Sequence, residues 1–459
     1  MQLEFLRYRI DLGHRDAIDL QAAFEERVAA LARESESPGL VLGLVGTAMH
    51  QAKLAAGPML RALHQETLED DAEDLDADLD IQSALSEVTE RCGGDVFAII
   101  ESLAEVTHAM PAETRRLFAQ QMMASADPVM REAAALLSLD PDAEVRTAVA
   151  AMLAAKAGSL TPTALRRLIA IRNWIPAEEQ PAVDEAIRAA RSSGIACAGW
   201  RQATATDIRA SGIDGSGATG FAMVSPAGGK HRFSSILFRF GEGVIDAWST
   251  EPMSKGRLRG MLREAEGTML RSVPRRYLDL VAQHYLAVGR ERLAVPPLCL
   301  LQVAEAIGAA EWRPACLDWK ATLEALVAEL PRTLREPTRI ERTMKDSVAW
   351  AAEETVSASW FEGDQDVVDL VDKLPETEKA VDYVLTTVVE RRKLKWAERF
   401  LWMALWLKEG GLGGRWPNYA LLAHELARGR PVDSIPLMRM IASNTLVGAG
   451  DAVWIEDDR

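Results

Sequence analysis

The segment Asp127–Leu153, DPVMREAAALLSLDPDAEVRTAVAAML, decides the fold class of this chain. It holds two related pieces, DPVMREAAALL (Asp127–Leu137) and DPDAEVRTAVAAML (Asp140–Leu153), each opening on Asp-Pro. Asp suits a helix N-cap, where its carboxylate accepts from free backbone N–H groups. Pro suits the first helical position, where its missing N–H costs nothing. Each piece is expected to set an Arg on an outer face and small Ala residues on an inner face, so that helices approach closely. Two further helices are predicted at Thr161–Ile171 and Ala177–Ala190 from the same periodicity.

The second piece resembles the second-helix region of HEAT-type repeats, which are paired antiparallel helices stacked as a solenoid. The resemblance extends over about residues 127–194. The two Asp-Pro segments are 13 residues apart, one helix plus a turn, whereas a two-helix HEAT period is about 40 residues. The expectation is therefore a pair of adjacent short helices of HEAT-like character. Stacked helices of this kind imply an extended binding surface.

Outward from this segment, residues 14–64 also follow helical spacing. They lead into ETLEDDAEDLDADLD, residues 66–80, with nine acids and no base. Like charges at this density repel, so an exposed loop or linker is predicted there. Texture changes at Cys197, after which the chain is rich in Gly, Ser and Thr. Gly220–Ser225, Arg232–Phe240 and Val244–Trp248 read as strands joined by the turns Pro226–Lys230 and Gly241–Gly243, a three-stranded antiparallel meander. A helix near Lys255–Thr268 is expected to cover Leu237–Phe240, with Leu258, Met261 and Leu262 packed on Phe238. From Pro274 onward the pattern is helical again, including a long helix at Ile340–Ser357 and an apolar one at Lys393–Glu409. Nine of the twelve Trp follow residue 310.

The predicted fold is thus mainly α: HEAT-like or α-solenoid regions with a small inserted α/β module. The organisation is an N-terminal helical region (1–125) containing the acidic linker, helical pairs (126–197), the meander and helix (198–270), and a Trp-rich helical domain (271–459). The tail, ending WIEDDR, is expected to fray.

Of 459 residues, 68 are acidic and 52 are Lys or Arg, a net charge of -16. Residues 1–125 alone carry 23 acids against 10 bases, which argues against a uniformly basic nucleic-acid binder. The four cysteines form no C-x-x-C pair, so no zinc set is read and a reducing compartment is expected. The N-terminus, MQLEFLRYRIDLGHRD, lacks an apolar signal core, and the apolar runs are too short to span a bilayer. A cytoplasmic protein without membrane attachment is expected. No phosphate loop, nucleophile elbow or dinucleotide fingerprint occurs, and no cofactor or metal is called for.

Two groups of residues could carry function. Asp214, in the loop Ile213–Gly217 (IDGSG), and His231 and Asp246 in the meander are the catalytic candidates for a metal-assisted hydrolase or nuclease. Asp214 reads equally as a turn residue, and His231 with Asp246 as a solvent-facing pair. The second group is basic: Lys255, Arg257, Arg259, Arg263, Arg271, Arg275 and Arg276 lie within 22 residues, opposed only by Glu264 and Glu266. Lys255, Arg259 and Arg263 recur every four residues and share one helical face. The function expected is a helical scaffold binding another protein, rather than an enzyme. Nucleic acid or another anionic ligand on the basic helix is the alternative.

Overall fold

In the computed structural model, Asp127 and Pro128 open a helix in the way the sequence suggests. Asp127 Oδ1 accepts from Val129 N at 2.9 Å, and Pro128 is the first helical residue. The second Asp-Pro behaves differently. Asp142, not Asp140, caps the next helix by accepting from Glu144 N at 2.9 Å, and Pro141 stays outside it. Asp140 lies in the preceding turn, close to Arg115 at 3.3 Å. The structure describes residues 2–11, 14–35, 37–72, 77–107, 110–200, 205–266, 270–310, 312–371, 373–374, 377–412 and 414–447. It divides into two compact units, Met1–Trp200 with Leu293–Leu301, and Arg201–Arg292 with Gln302–Arg459.

The first unit contains α1 (Gln2–Asp11), α2 (Arg15–Glu34), α3 (Pro38–Gln51), α4 (Pro58–Ala72), α5 (Ala77–Arg91), α6 (Val96–Thr107), α7 (Ala112–Ala124), α8 (Pro128–Leu136), α9 (Ala143–Ala155), α10 (Pro162–Trp174) and α11 (Gln180–Ser192). Helices α1 to α4 close on a core that includes Leu6, Val28, Leu42, Met49, Leu60 and Leu63. Helix α8 packs between α6 and α10, while α9 packs between α7 and α11, giving two layers. The two Asp-Pro segments are therefore the two helices of one hairpin. The repeating step runs from α6 to α8 to α10, starting at residues 96, 128 and 162.

The arginines correct the sequence reading, because neither points outward. Arg131 Nη1 donates to the carbonyls of Ser125 and Ala126 at 2.7 and 2.8 Å. Arg146 Nη1 donates in the same way to Asp140 and Pro141 at 2.7 and 2.9 Å, and its other nitrogens pair with Glu179. Each guanidinium thus ties its helix to the turn before it, satisfying carbonyls that would otherwise be left unpaired. Ala133, Ala134 and Ala135 are fully buried on the inner face.

The acidic run is a second correction. Its beginning is the end of α4 and its last residues start α5, since Glu, Leu and Ala are good helix formers. The exposure expected for the side chains of 68–80, and the fraying expected of the tail, lie outside the described residues.

The second unit contains β1 (Asp207–Ala210), β2 (Ala218–Ala227), β3 (Lys230–Arg239), β4 (Gly243–Ser249), α12 (Lys255–Glu266), β5 (Arg271–Ser272) and α13 (Arg275–Glu291). Helix α14 (Cys299–Ile307) starts in the first unit and ends in the second. After it come α15 (Trp319–Ala328), α16 (Pro337–Lys345), α17 (Ser347–Ala351), α18 (Gln365–Val371), α19 (Glu378–Val384), α20 (Lys393–Glu409), α21 (Trp416–Ala427) and α22 (Pro436–Val447). The predicted helix Ile340–Ser357 is broken into α16, α17 and a 3₁₀ turn, Thr355–Ser359. The fully buried Ser347 at the break accepts from Leu437 N at 3.0 Å.

The sheet has five antiparallel strands in the order β4-β3-β2-β1-β5, two more than the meander read from sequence. The missed strands are four and two residues long, and β5 pairs with β1 across an intervening helix. Alternation gives the sheet two faces. On the inner face Phe221 meets Phe238 edge-on at 5.6 Å, and Phe238 stacks on Tyr285 of α13 at 5.2 Å. Phe238 is therefore covered by α13, not by α12 as expected. Helix α20 is buried almost all round, as its pattern requires, and secures the β1–β2 segment: Trp406 Nε1 donates to Ala210 O at 2.9 Å. Trp360, packed on Phe400 of α20, donates to Ile213 O at 2.8 Å.

Candidate binding interface

Helix α12 crosses the outer face of the sheet. The segment before it is held by a bridge to β3, in which His231 N donates to Met253 O at 3.0 Å and Met253 N to His231 O at 2.7 Å. Leu258 is buried against Ala222, Val224, Phe233 and Met253, with Met261 and Leu262 half-buried beside it. Register explains the partner. Phe233 stands opposite Val224 and Phe238 opposite Thr219, an odd number of residues apart along β3, so the two rings point to opposite faces.

The structure separates the basic cluster into two groups. Lys255, Arg257, Arg259 and Arg263 are exposed and make no ion pair among the described residues. The other three are each paired with a carboxylate of the same unit. Arg271 reaches Glu354 at 2.9 Å over the ring of Trp406, and this fully buried carboxylate also takes Arg415 at 2.7 Å. Arg275 pairs with Asp279 at 2.7 Å, and Arg276 with Glu409 at 2.6 Å. The Arg275–Asp279 pair, one turn apart, is legible in the sequence. Glu354 and Glu409 are too distant along the chain to be read.

Beside α12, the outer face carries Trp248, which sequence reading did not single out. It stands opposite Ser235, is 38% exposed, and lies 5.4 Å from the ring of Phe233. The surface thus carries exposed cations on α12, with Lys255, Arg259 and Arg263 along one face, and an accessible indole on the same side of the sheet. Arg and Trp are the residue types that most often anchor protein interfaces.

The catalytic candidates are not brought together. Asp214 Oδ1 accepts from Ser216 Oγ at 2.7 Å and Ala218 N at 2.9 Å, pinning the turn into β2. Two glycines make this turn possible. Gly217 has φ +77°, and a Cβ on Gly215 would lie 1.8 Å from Ser359 O. His231 pairs with Pro226 at the far end of β2, eight residues from Ala218, about 27 Å at the rise of a strand. Asp246 faces Leu237, six residues along β3 from His231, about 20 Å away. Its Oδ1 accepts from Ala247 N at 2.9 Å. Among the described residues no group of three His, Cys, Asp or Glu side chains is placed to hold a metal.

Perturbed groups do occur inside this unit. Burial pushes the Glu398 carboxyl up to about 7, and burial pushes His284 down to about 4. His284 Nδ1 accepts from Leu317 N at 3.1 Å. Burial, and then the Glu291 carboxylate 3.3 Å away, pushes the Cys316 thiol up to about 11. A raised thiol pKa is the reverse of what a nucleophile needs. The cleft lined by Ser211, Thr219, Tyr277, Tyr285, Trp402 and Trp406 is too tight to admit water.

No helix among the described residues is long and apolar enough to cross a membrane. No solved structure matches this chain. Residues 111–194 match the family model described as the Y4lR second domain, while no HEAT-repeat model matches. Residues 320–449 match the Y4lR C-terminal helical domain. A Sinorhizobium fredii protein whose name reads "uncharacterized protein y4lR" is 26% identical over 382 residues, covering 82% of this chain and 73% of that protein. By sequence, then, the chain is similar to Y4lR in two helical regions and along most of its length.

Proposed function

We propose that this chain is a helical scaffold that binds an acidic protein partner, with α12 and the outer face of the sheet as the docking surface. The observation that carries the reading is the set of four exposed cations on α12 with no ion pair among the described residues. Their charge gives a local positive field that attracts anionic surfaces over about 8 Å at physiological salt. Trp248 beside them adds apolar area that a partner can bury. The two-layered stack α6–α11 supports the HEAT-like reading of residues 127–194, since stacked hairpins present broad surfaces without a need for chemistry. We read the protein as cytoplasmic because its four cysteines are free.

The test compares capture from the native cell by the wild type and by the triple variant K255E/R259E/R263E, quantified by mass spectrometry. A stoichiometric acidic partner should be lost from the variant, mainly through a slower association rate. The fold should persist, because exposed charges contribute about 0–1 kcal/mol each. Equal capture by both proteins at low salt refutes the reading. Loss of nucleic acid instead of a protein would favour the anionic-ligand alternative.

A further inference from the structure

Five arginines among the described residues are buried: Arg146, Arg166, Arg167, Arg239 and Arg399. Four of them find an acceptor. Arg146 donates to Glu179 at 2.7 Å, Arg166 to Gly199 O at 3.1 Å, Arg167 to Glu132 at 3.1 Å and Arg239 to Glu242 at 3.1 Å. Arg399, on α20, does not. It is 7% exposed, its Nε and Nη1 have no hydrogen-bond partner, and it makes no ion pair among the described residues. The carboxylates on neighbouring elements are engaged elsewhere. Asp214 pins its own turn, Glu362 takes Arg392 and Trp396 Nε1 at 2.7 Å each, and Glu398 lies beside Trp402.

A guanidinium cannot relieve this position by losing its proton, and a buried charge without a counter-charge is costly. Two aromatic rings offset part of that cost: Arg399 Cζ lies over Phe240 at 5.3 Å and over Trp396 at 4.8 Å. Rings attract the charge but supply no acceptor oxygen for its N–H bonds. Nη2, the one nitrogen not sealed from solvent, lies against Gly217, where a Cβ would stand 3.1 Å from it. Ser216 precedes Gly217, and Phe240 N donates to Gly217 O at 2.8 Å. Both residues are half-buried, so Nη2 lies just under the surface. In a guanidinium Nη2 belongs to both forked edges, one shared with Nε and the other with Nη1. A group with two oxygens that reaches Nη2 therefore also meets an unpartnered nitrogen.

We infer that Arg399 is the receptor for a small oxyanion, a carboxylate or phosphoryl group, that enters at the Gly217 turn. The oxyanion supplies both the missing acceptors and the missing charge. A broad macromolecular surface cannot reach a side chain that is 7% exposed, so the ligand presents its anion on a narrow end.

The experiment follows thermal unfolding of the full chain, by Trp fluorescence, in phosphate, in acetate and in chloride at equal ionic strength. For a dissociation constant of about 1 mM, about 10 mM oxyanion raises the midpoint by about 3–6 °C in a domain of about 250 residues. Chloride, a single atom, cannot span the fork and gives no such shift. A larger shift in phosphate assigns a phosphoryl ligand, a larger shift in acetate a carboxylate, and equal shifts a site that takes both. Arg399→Met should lose the shift. General stabilisation by phosphate acts on every variant alike, so the difference from this variant is what is read. Arg399→Lys keeps the charge without the fork; it should fold and bind at least about tenfold more weakly. The α12 variant K255E/R259E/R263E should keep the wild-type shift, which separates this site from the proposed docking surface. Equal midpoints in all three salts overturn the inference. So does an oxyanion shift that persists undiminished in the Arg399 variants or disappears in the α12 variant.

Discussion

Replacing Glu398 by Gln should stabilise the protein above pH 7 and change little at pH 4.5. Glu398 lies on α20, one turn before Trp402, whose buried indole N–H is the polar group beside its carboxyl. Burial raises the carboxyl from 4.5 to about 7, and Trp402 opposes this only in part. The folded state therefore holds the proton more tightly than the unfolded chain. Its contribution is fully present below pH 4.5 and is lost as pH rises through 7. A difference of about 2.5 units corresponds to about 3 kcal/mol. Gln cannot ionise and escapes that loss. His284 works in the opposite direction, since its lowered value removes stability as pH falls from 6.5 toward 4, but this is common to both proteins and cancels in the difference. Urea titrations at pH 4.5 and 8, followed by Trp fluorescence, report on this unit because ten of the twelve Trp lie after residue 200. The variant should gain about 2–3 kcal/mol over wild type at pH 8. A difference of the same size at both pH values, or a loss at pH 8, refutes the assignment of a desolvated carboxylate.

The IDGSG turn gives a contrasting pair: Asp214→Asn should cost under about 1 kcal/mol, since Asn makes the same turn, whereas Gly215→Ala must displace Ser359 and should cost more than about 2 kcal/mol. Equal thermal shifts for the two would contradict the packing described. On the sheet, Phe238→Ala should cost about 3–5 kcal/mol, while Trp248→Ala should cost about 1 kcal/mol and still weaken capture of the partner. Denaturation and capture measured on both variants check this, and a fully stable W248A that binds normally removes Trp248 from the interface.

Some of this architecture is set by local chemistry. Asp127 and Pro128 open α8 because capping and the missing N–H act within four residues. Trp396, Phe400, Met403 and Leu407 form one apolar stripe and Trp402 and Trp406 a second, and together they make α20 a central helix. Net charge on residues 255–276 is likewise readable without a structure. Other features depend on partners far along the chain. The sequence of Arg146 does not show that it will turn back onto Asp140 and reach Glu179, so it read as an outward residue. Phe238 and Phe233 look equivalent until register sends one toward Tyr285 and the other toward Leu258. The acidic run looked like a loop because repulsion is visible in composition while helix continuation from α4 is not.

The division within the basic cluster shows the same limit at the candidate interface. Residue type and spacing determined that seven cations lie in 22 residues. Only the tertiary structure decided that Arg271 and Arg276 meet Glu354 and Glu409, more than 80 residues away in sequence, while the four on α12 make no ion pair among the described residues. An ion pair forms where the fold brings a carboxylate within about 4 Å, and that distance is a property of packing rather than of the local sequence.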